Sequence, residues 1–197
     1  MRLSTFTGAL VGFSLLTGCS ILPEAKPIDY YVMKPMPVAS QGPAVRSHIR
    51  VAAPELGDAL QLERIVRINS AGGVMAYPNA KWSSSIATLW QNWLLEGLWR
   101  DARFEHISSA QQGLDNQWQL AGRLQALQVE ETAQGAVAVV RFDAQLIDTR
   151  QRRLHASHSF SAQVPVAANT TAAAVQALQA ASAEVGQQLL DWLAATS

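Results

Sequence analysis

The sequence predicts an α/β (α+β) fold: a single domain with a mixed, mostly antiparallel sheet packed by two main helices at about 82–100 and 170–195. Three observations predict it. Two stretches late in the chain alternate with a period of two: Ala138, Val140, Phe142, Ala144 and Leu146 against Arg141, Asp143 and Gln145, then Leu154, Ala156, His158, Phe160, Ala162 and Val164 against Arg153, His155 and Ser157. Strands with one buried face read this way. Two other stretches place apolar residues at helical spacing: Trp82, Ile86, Leu89, Trp90, Trp93 and Gly97, and later Val175, Leu178, Val185, Leu189 and Trp192. Finally, 197 residues, 49% of them hydrophobic, are enough to bury one core and too few for two ordinary domains.

Residues 1–18 read as a signal peptide. Arg2 precedes an apolar run from Leu3 to Leu16 that carries no charge and is short for a membrane-spanning helix. The run ends in Leu16-Thr17-Gly18-Cys19, which resembles the lipobox of bacterial lipoproteins. That resemblance implies diacylglyceryl transfer to the Cys19 sulfur, cleavage before it and acylation of the new amino terminus. Two or three acyl chains anchor stably where one is marginal. Cys19 is the only cysteine, so no internal disulfide and no thiolate metal cluster is available. Ser20 follows it in place of aspartate, which by the enterobacterial sorting rule implies delivery to the outer membrane. Residues 19–27, with Pro23 and Pro27, are expected to be a lipidated tether, and residues 28–197 the domain.

The elements of that domain follow in order. Ile28-Asp29-Tyr30-Tyr31-Val32-Met33 reads as a short strand. A loop with Pro35, Pro37, Gly42 and Pro43 separates it from a second strand, His48-Ile49-Arg50-Val51-Ala52. Residues 62–68 alternate weakly, and Gly72-Gly73 looks like a hairpin turn before Val74-Met75-Ala76-Tyr77, with Pro78 and Asn79 expected to end that strand. Trp82 opens the first helix; Ser83 to Ser85 can satisfy its free amides, and Gly97 lets another element approach. Leu95 and Trp99 fall outside the main stripe and are candidate contacts with a neighbouring subunit or partner. Trp118, Leu120, Gly122 and Leu124 hold one strand phase and Leu127 and Val129 the other, which predicts a bulge near Gln125-Ala126. The turn at 148–152 predicts an antiparallel hairpin, and Thr170 and Thr171 cap an alanine-rich closing helix.

No reacting constellation emerges, so the chain is expected not to be an enzyme and to need no cofactor or metal. His155 and His158, three apart on a strand, should face opposite sides, and His158, on the apolar side, is expected to be a hydrogen-bonded core histidine. Glu130-Glu131 reads as a solvated turn, and Arg141 and Asp143 as the wet face of a sheet. Ser83-Ser84-Ser85 lacks the flanking glycines of a hydrolase elbow, and Gly72-Gly73 lacks the lysine of a phosphate loop. Fifteen basic residues balance 15 acidic ones, which gives nucleic acid no electrostatic footprint.

In order and spacing, several segments resemble the ABC-type transport auxiliary lipoproteins: the lipobox, Asp29-Tyr30-Tyr31-Val32, Ile49-Arg50-Val51 followed by Pro54, Leu62-Glu63-Arg64-Ile65-Val66, the helix from Trp82 to Leu98 and the alanine-rich last helix. Lys81 and Ser85-Ile86 depart from the arginine and Pro-Leu that often flank the family's tryptophan. The resemblance implies a non-catalytic lipoprotein on the periplasmic face of the outer membrane, serving an MCE-type (mammalian cell entry) intermembrane lipid or solvent transport system with its permease and ATPase. It further implies a homo-oligomeric ring that docks the MCE component. A pilotin or secretion-system lipoprotein is the alternative on the same anchor.

Overall fold

The computed structural model describes residues 26–38 and 42–197. In chain order the strands are β1 (Asp29–Tyr31), β2 (Val45–Val51), β3 (Glu55–Leu56), β4 (Arg64–Ile68), β5 (Val74–Trp82), β6 (Phe104–Ser109), β7 (Trp118–Thr132), β8 (Gly135–Asp148) and β9 (Arg153–Pro165). Helix α1 (Ile86–Arg100) joins β5 to β6, and α2 (Thr171–Thr196) follows β9. The mixed α/β domain with two main helices is as expected.

The long strand β7 organises the sheet. Along one edge it pairs antiparallel with β8 over nearly its whole length, and β8 pairs in turn with β9. Along the other edge three short strands lie parallel to it in succession: β2 at Ile49↔Trp118, β3 at Glu55↔Arg123 and β4 at Val66↔Gln128. The sheet then forks. Strand β6 lies parallel to β2, while β5 lies antiparallel to β4 and carries β1 parallel on its outer edge. The connection through α1 joins β5 to β6 and so bridges the two wings. The expected antiparallel pairing thus holds for the β7–β8–β9 meander and the β4–β5 hairpin, while the pairings on the other edge of β7 and on the outer wings are parallel.

Local chemistry explains the turns. At the β4–β5 hairpin, Asn69 Oδ1 accepts from the amides of Ala71 (3.1 Å) and Gly73 (2.7 Å), and Gly72 takes φ +82°. At the β8–β9 hairpin, Asp148 Oδ1 accepts from the amides of Arg150 (2.9 Å) and Gln151 (2.8 Å). The bulge in β7 falls where the phase slip places it, between Leu124↔Phe142 and Ala126↔Arg141.

Two boundaries differ from the sequence reading. Pro78 and Asn79 do not end a strand, because β5 runs on to Trp82. The β4–β5 register jumps from Arg64↔Lys81 to Val66↔Ala76, so residues 77–80 bulge out, and a proline and a left-handed Asn79 (φ 53°) are tolerated where ladder hydrogen bonds are not required. Trp82 accordingly closes β5 and does not open the helix; its amide donates to Glu63 O at 2.9 Å. Helix α1 begins at Ile86, with Ser85 Oγ accepting from the Thr88 amide (3.3 Å) as N-cap.

Both helices cover one face of the sheet. Trp90 lies with its ring centroid 5.1 Å from Trp93 and 5.5 Å from Phe142, joining α1 to β8. Over the helices runs an extended strap, residues 32–38, and its alternate carbonyls are held by helix side chains. Gln179 Nε2 donates to Val32 O (3.1 Å), Trp93 Nε1 to Lys34 O (2.9 Å) and an Arg100 guanidinium nitrogen to Met36 O (3.1 Å). Met36, 1% exposed, plugs a notch between the helices that only glycines leave open: a Cβ on Gly97 would meet its Cε at 2.8 Å, and one on Gly186 at 2.6 Å. Met36→Ala should therefore cost about 2–3 kcal/mol by opening this cavity, and hydrogen exchange should show residues 32–38 deprotected before the sheet. Uniform protection across strap and sheet would contradict that.

Candidate functional site

Cys19 and the Leu16-Thr17-Gly18 segment before it lie outside the described residues. The described chain enters at the outer edge of the β1–β5 wing, so whatever lies beyond residue 26 is attached there, and the strap ties that entry to both helices.

The two candidate contact residues part company. Leu95 is only 4% exposed, which corrects its expected off-face position: α1 is packed by the sheet on one side and by α2 and the strap on others, so its buried face is wider than a single stripe. Trp99 is 59% exposed. Its indole Nε1 donates to Ile107 O at 3.2 Å, laying the ring along β6, which among the described residues pairs only with β2 and is an edge of the sheet.

The histidines are also repositioned. Between Leu146↔Ala156 and Ile147↔Leu154 the β8–β9 register slips, leaving His155 as an extra residue. Its ring lies 4.5 Å from that of the buried Trp118, on the helix-covered face, and His158 lies on the same face beside Phe160 (4.6 Å) and Trp192 (6.4 Å). The bulge thus cancels the expected alternation. His158 is exposed, at the rim of the aromatic cluster, and is not a core residue. Glu130 and Glu131 are likewise no solvated turn: both are half-buried in β7, Glu130 pairing with Arg141 (2.9 Å) and Glu131 with Arg67. Among the described residues, no three of His, Cys, Asp or Glu gather closely enough to hold a metal ion.

The face of β7–β9 away from the helices is open and polar, as Arg141 and Asp143 suggest in the sequence. Asp143 accepts from Ser159 Oγ (2.7 Å) and Gln125 Nε2 (2.8 Å). These hydrogen bonds, Ser159's foremost, with help from the nearby Arg123 charge, hold its carboxyl below the usual carboxylate range against the opposing effect of burial. A lowered folded value gives stability that is fully present above the unfolded value of about 4 and is lost as pH falls through the folded one. Urea unfolding of Asp143→Asn should lose this part of the acid dependence while the parent keeps it; identical pH profiles would contradict the assignment.

At the far end of β7, Arg67, Tyr77, Glu131 and Asn169 line a hollow of about 480 Å³. Burial, the largest influence, raises the Tyr77 hydroxyl above its ordinary value, so at neutral pH it is a donor and not a nucleophile. With Arg67 neutralised by Glu131, the hollow offers no activated group.

A third feature is absent from the sequence reading. Registers Tyr30↔Lys81 and Lys81↔Arg64 put one residue from each of β1, β5 and β4 in a row on one side of the wing. Ile28, Arg64, Pro78 and Lys81 line a shallow hollow of about 190 Å³ there. The apolar alternation of Ile28, Tyr30 and Val32 is the one sequence signal that could have pointed to it.

A family model described as ABC-type transport auxiliary lipoprotein component matches residues 31–189. No curated protein sequence matches the chain. Among solved structures, protein XCC0632 from Xanthomonas campestris, of family DUF330, aligns with a TM-score of 0.78 at 19% identity, covering 85% of this chain and 96% of that one. An uncharacterized protein aligns with a TM-score of 0.68 at 16% identity, covering 85% of this chain and 99% of that one. The hypothetical protein CT253 from Chlamydia trachomatis aligns at 0.53 and 7% identity, covering 76% of this chain and 97% of that one. These likenesses establish a shared fold.

Proposed function

The chain belongs to the ABC-type transport auxiliary lipoprotein components, and from that premise we propose that it is a non-catalytic, acyl-anchored subunit of an MCE-type intermembrane lipid or solvent transport system. It stands on the periplasmic face of the outer membrane, held by acyl chains on Cys19, and self-associates into a collar that docks the MCE component, with a permease and ATPase in the inner membrane. The family match across most of the domain carries this reading. The Leu16-Thr17-Gly18-Cys19 segment supports the anchor. The neutralised Arg67 and the protonated Tyr77 leave the hollow at the far end of β7 without an activated nucleophile, which supports a binding role over a catalytic one.

The exposed Trp99 on the free β6 edge is the proposed contact between neighbours in the collar; Leu95 has no place in it, being buried within the domain. Light scattering on the mature chain extracted from membranes should give the mass of a discrete closed oligomer, and Trp99→Glu should reduce it to the mass of one chain. An aromatic anchor at such a contact typically contributes more than 2 kcal/mol. A clean monomer for the parent chain would overturn the collar.

A further inference from the structure

We infer that the outer side of the β1–β5–β4 wing rests on the anionic headgroups of the leaflet that holds the chain's own acyl anchor. The inference rests on the Cys19 anchor proposed above. Three observations carry it.

The first is what this side exposes. Ile28, Tyr30 and Val32 are 44%, 63% and 61% exposed, while the alternate residues Tyr31 and Met33 pack against the core. An apolar ridge with a tyrosine at its centre suits the boundary between headgroups and acyl chains, where an amphipathic ring keeps its hydroxyl wet.

The second is charge. In the cross-strand row Tyr30–Lys81–Arg64, neither cation forms an ion pair with a described residue, whereas Arg67, Arg103, Arg123 and Arg141 all pair with acids. The acids nearest in sequence, Asp29 and Glu63, fall in the opposite phase of their chains. Balanced net charge thus conceals a local pair of free cations beside apolar surface, a combination that attracts anionic phospholipid.

The third is reach. Eight residues lie between Cys19 and Ile28, and even fully extended the nine steps from one to the other span no more than about 30 Å. The acyl chains therefore lie within that distance of Ile28, and the surface at the chain's entry is the one the tether brings to the membrane. A protein partner would have no such geometric claim on this edge.

The test uses the acylated chain extracted from membranes. Its intact mass first establishes whether Cys19 carries acyl groups, independently of any membrane contact by the domain. With the only native thiol acylated, Tyr30→Cys supplies a unique site for a nitroxide label. Gln188→Cys, exposed on α2, is the control. After reconstitution into vesicles of phosphatidylcholine, with and without phosphatidylglycerol, power-saturation electron paramagnetic resonance compares access of oxygen and of a nickel chelate to each label. The expected result is a label at 30 that gains oxygen access and loses nickel access when phosphatidylglycerol is present, and a label at 188 that stays aqueous. Arg64→Gln and Lys81→Gln should each reduce the contacted population about five-fold. An acylated chain with equal nickel access at 30 and 188 in both vesicles would overturn the contact and leave the anchor intact. A mass without acyl groups would overturn both.

Discussion

Asp101→Ala should lower the unfolding free energy by about 3–5 kcal/mol in urea denaturation, because it strands a buried cation. Asp101 caps α1, its amide donating to Gly97 O at 3.1 Å, and its fully buried carboxylate accepts from the Arg103 amide (3.0 Å), Nε (3.0 Å) and a terminal guanidinium nitrogen (2.6 Å). Another guanidinium nitrogen reaches Asp191 on α2 at 2.8 Å. The hydrogen bond to Asp101 is the foremost reason that Arg103 is held above its already high ordinary value; a guanidinium stays charged at neutral pH even without that partner, so it cannot escape the loss by deprotonating. The half-exposed Asp191 replaces little of what is lost. Converting both partners to apolar residues, Asp101→Leu with Arg103→Met, should regain most of the stability, since an intact buried pair is often near neutral against a hydrophobic replacement. A single-variant cost below about 1 kcal/mol, the scale of a surface pair, would show that the network is not essential to the turn.

Cys19→Ser should move the protein from the membrane pellet almost entirely to the soluble periplasmic fraction or leave it unprocessed with residues 1–18 attached. Each buried methylene of an acyl chain contributes about 0.8 kcal/mol, so two or three chains hold the protein essentially permanently and their loss cannot be made good by a small surface patch. Among the described residues no helix is long and apolar enough to cross a membrane and take over the anchoring. Cell fractionation with an antibody to the protein measures the effect. Full retention of the processed Cys19→Ser variant in the pellet would contradict acyl anchoring.

The elements read well from sequence where their signals are local. Asp148 makes its own turn, the alternation through Phe142 and Phe160 marks the meander, and the phase slip at Gln125 locates the bulge. The parallel pairings of β2, β3 and β4 along β7 have no local signature, because no short turn joins the partners. Trp82 suits both a helical stripe and the buried end of a strand; what decides is the Ser85 cap, which excludes everything before it from the helix. Leu95 is misplaced by a one-stripe reading because α1 is covered on more than one side, and His155 because the bulge turns it toward the helix-covered face that His158 already holds. The same distinction governs function. The lipobox is a contiguous string and legible at once, whereas the Tyr30–Lys81–Arg64 row exists only through the register of three strands, and the strap's hold on both helices only through glycines that are 89 positions apart, Gly97 and Gly186.

The central claim, service as a subunit of a transport system, is tested most directly by purifying the cross-linked full-length chain from native membranes and identifying its partners by mass spectrometry. The account predicts an MCE-domain protein together with the permease and ATPase of one system, in yields that fall when Trp99→Glu breaks the collar. Recovery of a secretin or pilus component in their place would contradict it and identify the chain as an assembly factor.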